Sequence, residues 1–155
     1  MTAVADDLVQ LEAVYREEAE RLWRALLAFS RDPDVASDAV AEAFARAIRD
    51  RAAIRDPRAW VWRMGFRLAA ADLTQRSRAN SQMPNTGYLE TEADADLLDA
   101  LAGLPEKQRT AVILFYYVDA PIREIAEKTG MSQLAVRANL SRGRKRLKHL
   151  LGESR

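Results

Sequence analysis

Residues 122–140 read IREIAEKTGMSQLAVRANL, and the spacing within them decides the fold. Pro121 opens a helix, Gly130 ends it, and Ser132 caps the next. Ile125, Met131 and Val136 then form the inner apolar face of the pair, with Leu140 further along the second helix. Two helices joined by a tight turn need a small residue where they approach, here Ala126. The turn itself needs a residue tolerant of positive φ, here Gly130. That pattern alone also fits helix pairs that bind nothing. The second helix supplies what discriminates. Arg137, Arg142, Arg144, Lys145, Arg146 and Lys148 are all basic, and no acid occurs from Lys128 to Gly152. A solvated face ordinarily mixes signs, and a block of like charge repels itself. The block therefore points to a polyanionic partner.

The chain as a whole conceals this. It has 155 residues, and its 24 basic and 23 acidic groups leave a net charge of +1. Taken alone, that total argues against nucleic acid. Segment by segment the reading reverses: residues 1–45 carry −6, 46–78 carry +6, 79–106 carry −6, and 128–152 carry +7. Two basic blocks alternate with two acidic ones.

Composition excludes several classes. There is no cysteine, so disulfide scaffolds, thiol switches and cysteine zinc sites are ruled out. The one histidine, His149, lies in the basic helix and reads as a surface residue. No metal, no cofactor and no catalytic machinery are expected. No apolar run approaches the roughly 18 residues of a spanning helix. Met1 to Asp7 has neither the basic nor the apolar region of a signal peptide. A cytoplasmic protein without membrane insertion is expected.

Working outward, every segment reads as helix, and the fold class is all-α. Leu8, Leu11, Tyr15, Leu22, Leu26 and Phe29 predict one face of a first helix. Asp32–Pro33 predicts the cap of a second, with Val35, Ala39, Val40, Ala43, Phe44, Ala47 and Ile48 inside. Pro57 restarts a third along Trp60, Met64, Leu68 and Ala71. Residues 79–95 hold Asn80, Ser81, Pro84, Asn85 and Gly87 and read as a linker. They divide the chain into two small helical domains, 1–78 and 96–155. In the second, Leu97, Leu98, Leu101 and Leu104 form a short helix. Pro105 opens another that buries Val112, Ile113, Phe115 and Tyr116.

With these elements in place, residues 101–151, LAGLPEKQRTAVILFYYVDAPIREIAEKTGMSQLAVRANLSRGRKRLKHLL, resemble region 4 of sigma-70-type transcription initiation factors. The signs are Leu104–Pro105, Arg109, the run Glu124 to Glu127, and Leu140 to Arg144. The first domain resembles region 2. Asp38 to Phe44 (DAVAEAF) matches its core-binding helix, and Pro57 to Arg63 (PRAWVWR) matches the helix that handles the −10 element. Two regions with a short linker are the layout of the extracytoplasmic-function (ECF) group.

The resemblance implies a protein that binds RNA polymerase core enzyme and directs it to promoter DNA, without bond chemistry of its own. It implies docking of residues 1–78 on the β′ clamp helices through Asp38, Glu42 and Phe44. It implies −10 recognition and melting by Arg55, Arg58, Trp62, Arg63, Arg67, Arg76 and Arg78. Residues 96–155 would rest on the β flap and read the −35 element through Ser132, Gln133, Arg137, Ser141, Arg142, Arg144 and Lys145. An anti-sigma partner is implied as well. The loop Arg51–Asp56 lies where the family holds a flipped −10 base, with Ala52, Ala53 and Ile54 as its walls. Trp62 is either a stacking platform for an unpaired base or packing against the first helix or polymerase. Four features depart from the family pattern: Ala41 in place of Gln, Arg67 in place of Asn, Leu134–Ala135 in place of Gly-Thr, and Ala138 in place of Ser. The last two imply an altered −35 preference. The competing reading is a stand-alone helix-turn-helix regulator that binds an operator by itself.

Overall fold

The computed structural model describes residues 2–79 and 92–153. Among these the chain is helical throughout. The helices are α1 (Thr2–Ser30), α2 (Pro33–Arg49), α3 (Pro57–Ala79), α4 (Glu92–Ala102), α5 (Glu106–Val112), α6 (Ile122–Thr129) and α7 (Gln133–Glu153). A 3-10 turn at Arg51–Ala53 and a π-helical turn at Ile113–Tyr117 complete them. No described helix is long and apolar enough to cross a membrane. No described group of three acidic or histidine side chains is placed to hold a metal.

The first half packs α1, α2 and α3 together. In α1 the inner line is Leu11, Val14, Leu22, Ala25, Leu26 and Phe29. The sequence places Leu8 and Tyr15 on that line, but both are exposed. The line is rotated because it contains a carboxylate, Glu18, which a count of apolar residues passes over. Helix α2 begins as its sequence predicts. The Asp32 carboxylate accepts from the Asp34 amide at 2.9 Å and from Val35 at 3.4 Å, with Pro33 at the first helical position. Its expected face is buried except for Ile48, which is exposed.

Helix α3 differs more. The predicted line through Trp60, Met64, Leu68 and Ala71 is wrong. The residues inside are Ala59, Val61, Trp62, Phe66 and Ala69, whereas Trp60, Met64 and Leu68 are half-buried and Ala71 is exposed. The reason is packing on two sides: α1 and α2 on one, α6 on the other. A helix apolar nearly all round has no single stripe to read.

In the second half α4 begins at Glu92 rather than Asp96. Most of the expected linker, residues 80–91, lies outside the described residues. The expected burial of Tyr116 is also corrected. Val112, Ile113 and Leu114 are inside, Phe115 is half-buried and Tyr116 is 52% exposed. The wider π turn shifts the register and carries Tyr116 off the apolar face. The helix-turn-helix follows its sequence closely. Ile125, Val136 and Leu140 are buried, Met131 is half-buried against them, and Gly130 adopts φ 79°. The Ser132 hydroxyl accepts from the Ala135 amide at 3.1 Å.

Helix α7 crosses α5 at Gly143. A Cβ there would lie 2.8 Å from Val112 Cγ2, so only glycine permits this approach. In an open helix Gly143→Ala would gain about 1 kcal/mol from propensity. Here the overlap costs about 1–3 kcal/mol. The substitution is expected to lower the melting temperature in circular dichroism; an unchanged or higher value would show that α5 and α7 part freely.

Candidate nucleic-acid interface

Helix α7 presents the clearer of the two basic surfaces. Ser132, Gln133, Arg137, Ser141, Arg142, Arg144 and Lys145 are all exposed. They sit on a helix held by Val136 and Leu140 against α6 and by Gly143 against α5. Arg137, Ser141 and Arg142 share a face at i, i+4 and i+5. Arg144 donates to the Tyr116 hydroxyl at 3.1 Å, which ties the basic helix to the π turn. Among the described residues none of the α7 cations is in an ion pair. An arginine on such a face can bond a guanine edge bidentately, and the neighbouring cations can meet phosphates.

The basic block of α3 and the loop before it is arranged differently. Arg55 and Arg67 are exposed. Arg67 borders, with Arg63, Phe66 and Lys107, a cleft of about 140 Å³ between the halves. Arg58 is paired with both Glu17 and Glu18, and those carboxylates raise its pKa further above the ordinary arginine value. Arg76 is bonded to Asp72 at 3.1 Å and lies 3.4 Å from Asp32 and 3.6 Å from Asp38. Of Arg78 only the helical backbone is described. The loop gives no base pocket in this arrangement: Ala52 and Ala53 are exposed on the 3-10 turn, and Ile54 packs toward the core.

Trp62 answers the question its sequence leaves open. It is fully buried, so it cannot stack on a base in this arrangement. Its indole N–H donates to Glu18 at 3.4 Å, and its ring lies roughly parallel to Phe66, centroids 6.4 Å apart. On the ring face sits the Lys128 ammonium of α6, 4.2 Å from the centroid. Lys128 is only 5% exposed. Beside it, Arg63 donates to the Glu127 carbonyl at 2.8 Å and lies against Gly130. Two residues of the expected −10 surface are therefore held by the helix-turn-helix of the other half.

Further contacts extend this seam. Arg109 donates to the Phe29 carbonyl at 3.1 Å, with its guanidinium 4.7 Å from the Phe29 ring centroid. Arg31 is paired with Asp99. Arg21 reaches the Val118 carbonyl at 3.4 Å. Sequence reasoning assigns no role to Glu18, Arg109 or Lys128 at such a seam. Glu18 alone carried a signal, as an acid on the inner line of α1.

On α2, Asp38 and Glu42 are exposed, and Glu42 pairs with Arg46 at 2.7 Å. Phe44, expected at the polymerase surface, is instead buried, edge-on to Tyr15 with centroids 5.0 Å apart. It lies on the apolar line of α2 and is core.

Lys128 makes the seam pH-sensitive in a definite direction. Burial disfavours its charged form and holds its pKa below the ordinary lysine value, with Glu18 pulling the other way. The unfolded chain then binds this proton more tightly than the folded one. Stability from this position rises as pH climbs from the depressed value toward about 10.4, and falls as pH drops through it. Relative to Lys128→Met, the native protein should gain stability between about pH 7 and pH 10. Urea unfolding of both proteins measures this, and parallel pH profiles would refute it.

The comparisons with known proteins fit this geometry. A family model described as Sigma-70, region 4 matches residues 94–147, which include α6 and most of α7. RNA polymerase sigma factor SigV of Bacillus subtilis (strain 168) is 26% identical over 138 residues, covering 83% of each chain. ECF RNA polymerase sigma factor SigM of Mycobacterium tuberculosis is 28% identical over 161 aligned positions, covering 96% of this chain and 81% of that one. The fold is shared with a solved structure of the sigma factor RpoE in complex with the anti-sigma factor NepR from Bartonella quintana. The TM-score there is 0.69 at 21% identity, over 97% of this chain and 99% of that one. A helix-turn-helix with an acid-free cationic face, relatives aligned along most of their length, and a shared helical fold point one way: residues 94–147 match sigma-70 region 4, and the chain is similar to RNA polymerase sigma factors, among them one of the ECF group.

Proposed function

We propose that the protein binds core RNA polymerase and confers promoter-specific initiation. Residues 1–78 engage polymerase and the −10 element, and residues 96–155 engage the −35 element. The exposed arginines and lysines of α7, without an ion pair among the described residues, are the observation that carries this reading. Arg137, Ser141 and Arg142 read bases in the −35 major groove, and Arg144 and Lys145 hold phosphates. Asp38 and Glu42 meet basic residues on the β′ clamp helices. Both are exposed, so exchanging Arg76 and Arg46 for a partner's cations costs little. No bond chemistry is assigned to the chain, and its place is the cytoplasm, with polymerase.

The two DNA surfaces are not equally available. The −35 face is open, whereas Trp62, Arg58, Arg63 and Arg76 are engaged within the protein. Melting of the −10 element therefore requires the halves to separate, so that Arg63 leaves Glu127 and Trp62 leaves Lys128. An anti-sigma factor, the kind of partner held by RpoE in the related complex, would act by favouring the closed arrangement. The relatives favour this reading over a stand-alone regulator, since they are named as RNA polymerase sigma factors.

Run-off transcription with purified core polymerase tests it. Promoter-specific transcripts are expected only when the chain is added; duplex binding without initiation would overturn the reading in favour of a regulator. In the same assay Arg142→Ala should lower initiation from −35-dependent promoters by about 10-fold, the equivalent of 1–3 kcal/mol of base discrimination. An unchanged −35 footprint would count against that assignment. Charge reversal at both Asp38 and Glu42 should abolish co-purification with core.

A further inference from the structure

Leu134 is 77% exposed in the first turn of α7, the most exposed of the large apolar side chains among the described residues. A single exposed leucine is ordinary on a protein surface. Its position makes this one informative. Leu134, Arg137, Ala138 and Ser141 stand at i, i+3, i+4 and i+7, so they lie on one face of the helix. That face is the one assigned to the −35 major groove. With Ala138 the leucine makes an apolar step on a face whose neighbouring Gln133, Arg137 and Ser141 are exposed and polar or cationic. It contributes nothing evident to the fold: the helix pair is held by Ile125, Val136 and Leu140, all buried.

The first residues of a recognition helix reach deepest toward base edges. In the major groove only one natural base offers an apolar group, the C5-methyl of thymine. A leucine there cannot hydrogen-bond to guanine, adenine or cytosine, and would strip water from their polar edges without replacing the lost bonds. Next to a thymine methyl it gains contact area instead. We propose that Leu134, with Ala138 beside it, reads a thymine methyl in the −35 element. Leu134 is then a specificity-determining residue, and an A·T pair is fixed at the position it faces. This rests on the assignment of α7 to duplex DNA. It concerns base choice, whereas Arg144 and Lys145 concern affinity.

Deoxyuridine tests this directly, because it pairs like thymidine and lacks only the methyl group. Sites are selected from a randomised duplex library by the full chain, both with core polymerase and alone. Each thymine of the selected −35 element is then replaced by deoxyuridine. For the native chain, replacement at one thymine should weaken binding by about 3- to 10-fold. For Leu134→Ala the thymidine-to-deoxyuridine ratio at that position should fall to near one. Arg142→Ala should bind more weakly overall but keep the ratio. The inference is overturned if no replacement affects the native chain, or if the penalty survives in Leu134→Ala. It is also overturned if Leu134→Ala weakens assembly with core when DNA is absent, which would place the leucine at a protein contact. The ratio is scored on whatever duplex the chain selects. Failure to initiate transcription would therefore refute the sigma reading and leave this comparison decisive on its own terms.

Discussion

Glu18 is a carboxylate held at 1% exposure in the middle of α1, and most of the first half is arranged around it. An ion removed from water must be matched by donors, or it loses its charge or the fold. Three donors converge here: Arg58 from the start of α3, Arg21 from one turn along α1, and the indole N–H of Trp62. Each fixes something else. Arg58 sets where α3 begins against α1. The indole bond fixes the Trp62 ring, whose free face is then the surface on which Lys128 of α6 rests. The Lys128 ammonium completes the contact, with burial working against its charge and Glu18 working for it. One buried carboxylate thus settles the packing of α1 on α3 and the docking of the helix-turn-helix on both.

That arrangement has a functional consequence. The side chains that satisfy buried charge and backbone acceptors at the seam overlap with those suited to single-stranded DNA: Arg58, Trp62 and Arg63. A cation bonded inside the protein is unavailable to phosphate, and a ring under an ammonium is unavailable to a base. If these groups serve the −10 element as proposed, the closed arrangement and melting are alternatives for the same side chains. Where Arg63 meets α6 the backbone is that of Gly130 at φ 79°, a conformation glycine takes readily.

Sequence legibility follows the range of the interactions. Asp32–Pro33, Gly130 and Ser132 act on backbone within a few residues, and the structure finds each where local chemistry places it. The helix-turn-helix and its cationic face were legible for the same reason. What was not legible depends on partners distant in the chain. Glu18 and Arg58 are 40 residues apart, and although its spacing puts Glu18 on the inner line of α1, nothing local names the donors that let it stay there. Helix α3 packs on two sides, so its apolar residues carry no single period. That is why Trp60 was expected inside and Trp62 was left undecided. Gly143 looks like a weak point in a helix until α5 is brought against it.

The two basic blocks show most plainly what charge counting misses. Residues 46–78 and 128–152 carry nearly equal excess charge, +6 and +7. In the first, Arg46, Arg49, Arg58 and Arg76 are all matched by carboxylates of the same half. In the second, no α7 cation has an acidic partner among the described residues. Attraction to a phosphate backbone depends on cations that can take the place of its counterions, and a cation already neutralised releases none. On the proposed function, the second block therefore supplies the standing affinity for duplex DNA. On the same reading Arg46 and Arg49 can exchange exposed carboxylates for phosphates at little cost, whereas Arg58 and Arg76 would leave the buried Glu18 and Asp32 behind. A chain of net charge +1 can in this way leave one cationic surface open and keep another paired within the fold.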